Sequence, residues 1–135
     1  MSDYTYFERK EAIRDKSGQL WRVTVSMTHD YDCLPTDSEC YDEKQIEAFN
    51  SGEWSYVGLC FDAEKAVDNN AAGIVKYDEV AADSLWGIDF GFGAPNAERD
   101  HILETFKEIS GWTPEVPADI VALARELFAA EFDKF

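Results

Sequence analysis

Leu20-Trp21-Arg22-Val23-Thr24-Val25-Ser26-Met27-Thr28 decides the fold. Trp21, Val23, Val25 and Met27 alternate with Arg22, Thr24 and Ser26, the period of a strand with one buried and one wet face. Upstream, Tyr4–Arg14 reads as its hairpin partner across Asp15-Lys16-Ser17-Gly18, although Glu8–Lys16 also fits a helix. Downstream, Trp54–Asp62 is apolar on both faces, which predicts a central strand. Gly73–Asp78 and Ser84–Phe92 extend the sheet, with Trp86, Ile88 and Phe90 expected on one core-facing side. Gly58 and Gly87 inside strands predict bulges or close backbone approach.

Helices fill the rest. After an irregular acidic loop over His29–Asp42, Asp42 and Gln45 form a capping box, with Tyr41 and Ile46 in the hydrophobic-staple positions. That short helix buries Ile46 and Phe49, shows Glu43 and Glu47 outward, and stops at Ser51-Gly52. Asn96 is placed to cap a second helix carrying Ile102, Leu103, Phe106 and Ile109 inward. Pro117 suits the first turn of a third, whose stripe is Ile120, Leu123, Ala124, Leu127, Phe128 and Phe132. Strands early and helices late predict one α+β domain over residues 1–135. Its core would be an antiparallel sheet of about five strands with helices packed on one face.

Charge is the most informative remaining feature. The chain has 28 Asp+Glu against 12 Lys+Arg, a formal net charge of −16. Residues 1–27 carry 4 acids and 5 bases, whereas residues 28–64 carry 10 acids and a single base, Lys44. Four Trp and nine Phe are too much apolar mass for a disordered acidic tail, so the charge is displayed on a folded object. Such a surface repels nucleic acid and anionic lipid, which argues against binding either directly. The start lacks a basic and an apolar signal region, no apolar run is long enough to span a bilayer, and Cys33, Cys40 and Cys60 show no disulfide framework. A cytoplasmic protein is expected.

The acids Asp30, Asp32, Asp37, Glu39, Asp42, Glu43, Glu47 and Glu53 are the candidate partner-binding residues. They fit a surface that imitates nucleic-acid phosphates; they also fit a merely solubilising face. Carboxylates two residues apart on a strand lie about 6.6 Å apart, near two nucleotide rises of about 3.4 Å.

Other chemistries find less in the residues. Asp30-x-Asp32 opens like a calcium loop, but Leu34 follows and no glycine stands at position six. His29, Cys33 and Cys40 are soft ligands without the tight Cys pair of a structural zinc site, and neither they nor His101 form a recognisable nucleophile–base arrangement. Gly87–Gly93 lacks the order of a phosphate loop and reads as a strand end. Trp54, Tyr56, Trp86 and Phe90 are expected in the core, and Arg9, Lys10, Arg14, Lys16 and Arg22 make a basic hairpin. No enzyme activity and no cofactor are expected.

Trp54-Ser55-Tyr56-Val57-Gly58, behind its short helix, and Ser84-Leu85-Trp86-Gly87-Ile88 resemble segments of small uncharacterised proteins of bacteriophages and other mobile elements. In size and charge the chain also resembles anti-restriction and anti-CRISPR proteins that act as DNA mimics. The first resemblance brings no established activity and the second is one of physical type; the acidic block on a folded domain leads to the expectation of an inhibitor of a host nucleic-acid-targeting defence complex, a nuclease or CRISPR effector, docking through residues 30–62. A two-fold dimer would lengthen the anionic surface. The alternatives are a small accessory protein-binding domain using an apolar patch around Trp54, Phe90 or Phe92, and a metal-assisted hydrolase built on residues 29–42.

Overall fold

The structure, a computed structural model, describes residues 5–37, 41–67, 75–91 and 99–134. Four strands follow one another in an antiparallel meander: β1 (Thr5–Arg14), β2 (Leu20–Asp30), β3 (Trp54–Val67) and β4 (Lys76–Gly91). Three α-helices accompany them: α1 (Glu43–Asn50), α2 (Arg99–Ser110) and α3 (Ala118–Asp133). The class is α+β as expected, with four strands among the described residues rather than about five. Lys76 to Asp78 and Ser84 to Gly91 of the two expected segments belong to one 16-residue strand, while Gly73, Ile74 and Phe92 lie outside the described residues. Two extra residues in β4, where its register against β3 shifts, carry the strand through a stretch whose alternation is broken.

The β1–β2 hairpin forms across its full expected length, so the helical option for Glu8–Lys16 is not taken. Its turn is tied by Asp15, whose carboxylate accepts the Ser17 N–H at 2.8 Å, the Gln19 N–H at 3.1 Å and the Trp21 indole N–H at 2.9 Å. Gly18 supplies the left-handed residue there, at φ 88°. These donors, with the Ser17 hydroxyl first among them, hold the Asp15 carboxyl below the usual carboxylate range.

Strand alternation then sorts the sheet. Trp21, Val23, Val25 and Met27 of β2 and Val57, Leu59, Phe61 and Ala63 of β3 are buried beneath α2 and α3. Phe106 of α2 stacks on Phe128 of α3 at 4.1 Å and 15°, and Phe7 of β1 meets Phe128 edge-on at 5.1 Å. The opposite face of β3, starting at Trp54 and Tyr56, is covered at one end only. There α1 supplies Ala48 and Phe49 to a second, smaller cluster. The helices are therefore not all on one face: α2 and α3 take one, α1 the other.

Helix α1 starts as expected. The Gln45 N–H donates to Asp42 Oδ1 at 2.8 Å, and Gln45 Oε1 accepts the Asp42 N–H at 2.9 Å. Residues 92–98, with Phe92 and Asn96, lie outside the described residues, and so does the cap expected at Asn96. Pro117 stands at the N-cap of α3 without a side-chain cap of its own.

Candidate partner-binding surface

The eight candidate acids divide by position. Asp32, Asp42, Glu43, Glu47 and Glu53 are exposed. They surround α1 and the loop after β2, at the end of the sheet that α1 covers. Glu43 and Glu47 sit one turn apart on α1, about 6 Å along its axis. Glu39 lies outside the described residues, and of Asp37 only the backbone, in a short 3-10 turn over Pro35–Asp37, is described.

Asp30 is corrected. It is buried, and its carboxylate is occupied from three directions: Oδ1 accepts the Asp32 N–H at 2.9 Å, and Oδ2 accepts the Gly87 N–H at 2.9 Å and the Cys33 S–H at 3.3 Å. Asp30 pins the loop after β2 to β4 rather than meeting a partner. A second buried carboxylate, Asp89, accepts the Tyr41 hydroxyl at 2.7 Å and anchors the approach to α1 in the same way. Burial, and then bonding to Tyr56 and Asp89, raises the Tyr41 phenol far above its ordinary value.

The charges pair unevenly over the molecule. Among the described residues, none of Asp32, Asp42, Glu43, Glu47 and Glu53 stands in an ion pair. The five arginines are all engaged elsewhere. Arg9 reaches Glu131 at 2.7 Å and joins β1 to α3; Arg22 chelates Glu64 through two bonds of 2.9 Å across β2 and β3. Arg99 holds Asp133 at 2.6 and 2.9 Å, joining α2 to the end of α3. Arg14 donates to the Gly18 carbonyl, and Arg125 to Ser110 Oγ and the Lys107 carbonyl. The basic hairpin thus serves the fold through Arg9, Arg14 and Arg22.

Of the aromatic residues expected in the core, Trp54 and Tyr56 are buried there, and the Trp54 indole N–H donates to the Gln45 carbonyl at 2.8 Å. Phe90 is half-buried between Tyr6 and Phe132. Trp86, expected inside, is 46% exposed. The register shift between Val57 and Leu59 turns it to the face opposite α2 and α3, over Gly58. A Cβ at position 58 would lie 2.2 Å from the Trp86 ring, so the close backbone approach expected at Gly58 is a seat for this indole. Gly87, at φ 74°, makes the matching kink in β4. The two strand glycines were the signal for an outward tryptophan.

Trp86 forms one wall of a cavity of about 420 Å³ whose other lining runs from His29 through Asp30, Tyr31 and Asp32 to Cys33. Tyr31 is 49% exposed and its ring lies 3.9 Å from that of His29. Cys40 lies outside the described residues, and among these no group of three or more His, Cys, Asp or Glu is arranged to hold a metal ion. No helix among them is long and apolar enough to cross a membrane. Comparison with protein-family models, curated proteins and solved structures finds no match to the chain.

Proposed function

We propose that the chain is a non-enzymatic docking protein whose α1 end occupies a cationic groove on a nucleic-acid-binding protein, displacing the nucleic acid. The observation that supports this is the separation of charge. Asp32, Asp42, Glu43, Glu47 and Glu53 stand exposed and without ion pairs around α1, while every arginine is spent on internal bonds. A fold using acid for solubility alone has no reason to keep its guanidinium groups away from this end. Glu43 and Glu47 also repel each other at i,i+4, and α1 has no base in its last turn. Both arrangements cost helix stability and are repaid by a cationic partner.

With the resemblance to mobile-element proteins, the partner class is a host defence nuclease or CRISPR effector, met in the cytoplasm. The test is competition. Purified restriction nucleases and CRISPR effectors are loaded with a labelled DNA duplex, and the protein is titrated in at stepped salt. Displacement that weakens steeply with salt, and is lost on the double change Glu43→Lys, Glu47→Lys, is the expected result. Displacement indifferent to both, or none across the panel, overturns the proposal.

A further inference from the structure

The cavity beside α1 has a chemistry of its own. Its lining holds no Lys or Arg, and contributes two exposed aromatic rings, Tyr31 and Trp86, and two carboxylates, Asp30 and Asp32. Asp30 is saturated by its three internal donors, which leaves the exposed Asp32 as the acceptor within reach of a visitor.

The walls are fixed in advance. Trp86 lies against Gly58 and its indole N–H donates to Ser84 Oγ at 3.1 Å, so the ring is seated rather than swinging. Asp30 bonds at once to the backbone N–H of Asp32 and to that of Gly87. One buried carboxylate therefore sets the Tyr31–Asp32 wall against the Trp86 wall. A half-exposed tryptophan held this firmly gains little for the fold and retains an open face for a ligand.

From this we infer that the cavity receives an arginine side chain of the docking partner, the guanidinium stacking on the Trp86 indole and its N–H edge meeting Asp32. A planar, weakly hydrated cation suits an aromatic face beside a carboxylate. A nucleobase or phosphate does not, because no cation lines the cavity to accept its charge. The inference rests on the docking proposal and names one contact within it: an aromatic anchor beside the exposed carboxylate of Asp32, as in the energetic centres of protein interfaces.

The probe is acetyl-Gly-Arg-Gly-amide, with acetyl-Gly-Lys-Gly-amide as its control, read on the full chain by the NMR signals of the Trp86 indole N–H and the Gly87 amide. The arginine peptide should shift both signals saturably and bind about threefold tighter than the lysine peptide. Asp32→Asn should weaken binding about fivefold, since it removes a charge-assisted contact at an exposed position. Trp86→Ala, read at Gly87, should abolish it. Gly58→Ala keeps the indole but forces it off its seat, and should also weaken binding; circular dichroism checks that each variant folds. Silence at both signals, equal binding of the lysine peptide, or undiminished binding by Trp86→Ala overturns the inference. The two proposals fail separately. A silent cavity in a protein that still displaces DNA sinks only this one; a saturable cavity in a protein that never displaces DNA sinks only the docking reading.

Discussion

The two faces of the sheet solve opposite problems. Under α2 and α3, apolar side chains from all four strands meet two helices, and the rim is closed by ion pairs: Arg9–Glu131 from β1 to α3, Arg99–Asp133 from α2 to α3. On the other face, α1 covers one end with a small aromatic cluster, and among the described residues its acids Glu43 and Glu47 stand in no ion pair. The first face is arranged for stability. The second carries a repelling pair, Glu43 and Glu47, and the half-exposed Trp86 seated on Gly58, which the docking proposal would use.

The largest way to break this comparison is to hollow each cluster in turn. Phe128→Ala removes the ring shared by Phe106 and Phe7 and should cost about 3–5 kcal/mol, enough to unfold much of the protein. Phe49→Ala removes a half-buried ring that packs on Trp54 and Tyr56, and should cost about 1–2 kcal/mol. Urea denaturation of both variants measures the difference. Equal losses would mean that α1 is as integral to the core as the C-terminal helices, and the division between faces would dissolve.

Much of this division was legible in the chain. Alternation over Leu20–Thr28 marks the buried face of β2, and the Asp42–Gln45 capping box marks the start of α1, because both signals are local. Other features hang on long-range geometry. Asp30 looks like another acid of a charged loop until β4, far away in sequence, brings the Gly87 N–H to its carboxylate. Trp86 fits the alternation of its neighbours, and one extra residue in β4 reverses its side. The division of β4 into two expected strands has the same cause, since the bulges interrupt the period by which a strand is recognised. Among the candidate acids, position along the chain could not tell an anchoring carboxylate, Asp30, from the displayed ones around α1.

Acid should loosen the first face through its paired carboxylates. Bonding to Arg9 and then Lys134 lowers the Glu131 carboxyl, and bonding to Arg99 lowers Asp133; on the open face, bonding to Arg22 lowers Glu64 in the same sense. A carboxyl depressed in the folded state binds fewer protons there than in the unfolded chain. Its stabilisation is therefore complete above the unfolded values near pH 4, and is lost as the pH falls through the lower folded ones. Asp62, on the open face, has the opposite sign. Burial, then Glu79 and Glu64, raise its carboxyl, so its protonation on acidification favours the folded state slightly. The melting temperature should fall below about pH 4, with amide exchange rising first in β1 and α3. Retained protection there would show that the ion pairs at the rim contribute nothing.

The smallest expected effect is the sharpest, because stability and binding should move in opposite directions. Glu47 faces Glu43 one turn away and lies in the last turn of α1, where no base offsets the helix dipole. Glu47→Lys converts that repulsion into an attractive pair and places a cation at the favourable end, for a gain of about 0.5–1 kcal/mol. For a domain of this size the melting temperature should rise by about 2–4 °C. The same change removes one of the five displayed acids, so displacement of DNA from a target should weaken severalfold and lose part of its salt dependence. A surface shaped only by solubility predicts the gain in stability with no loss of docking. A surface shaped by a cationic partner predicts both together, because the repulsion that strains the free helix is relieved when the partner binds.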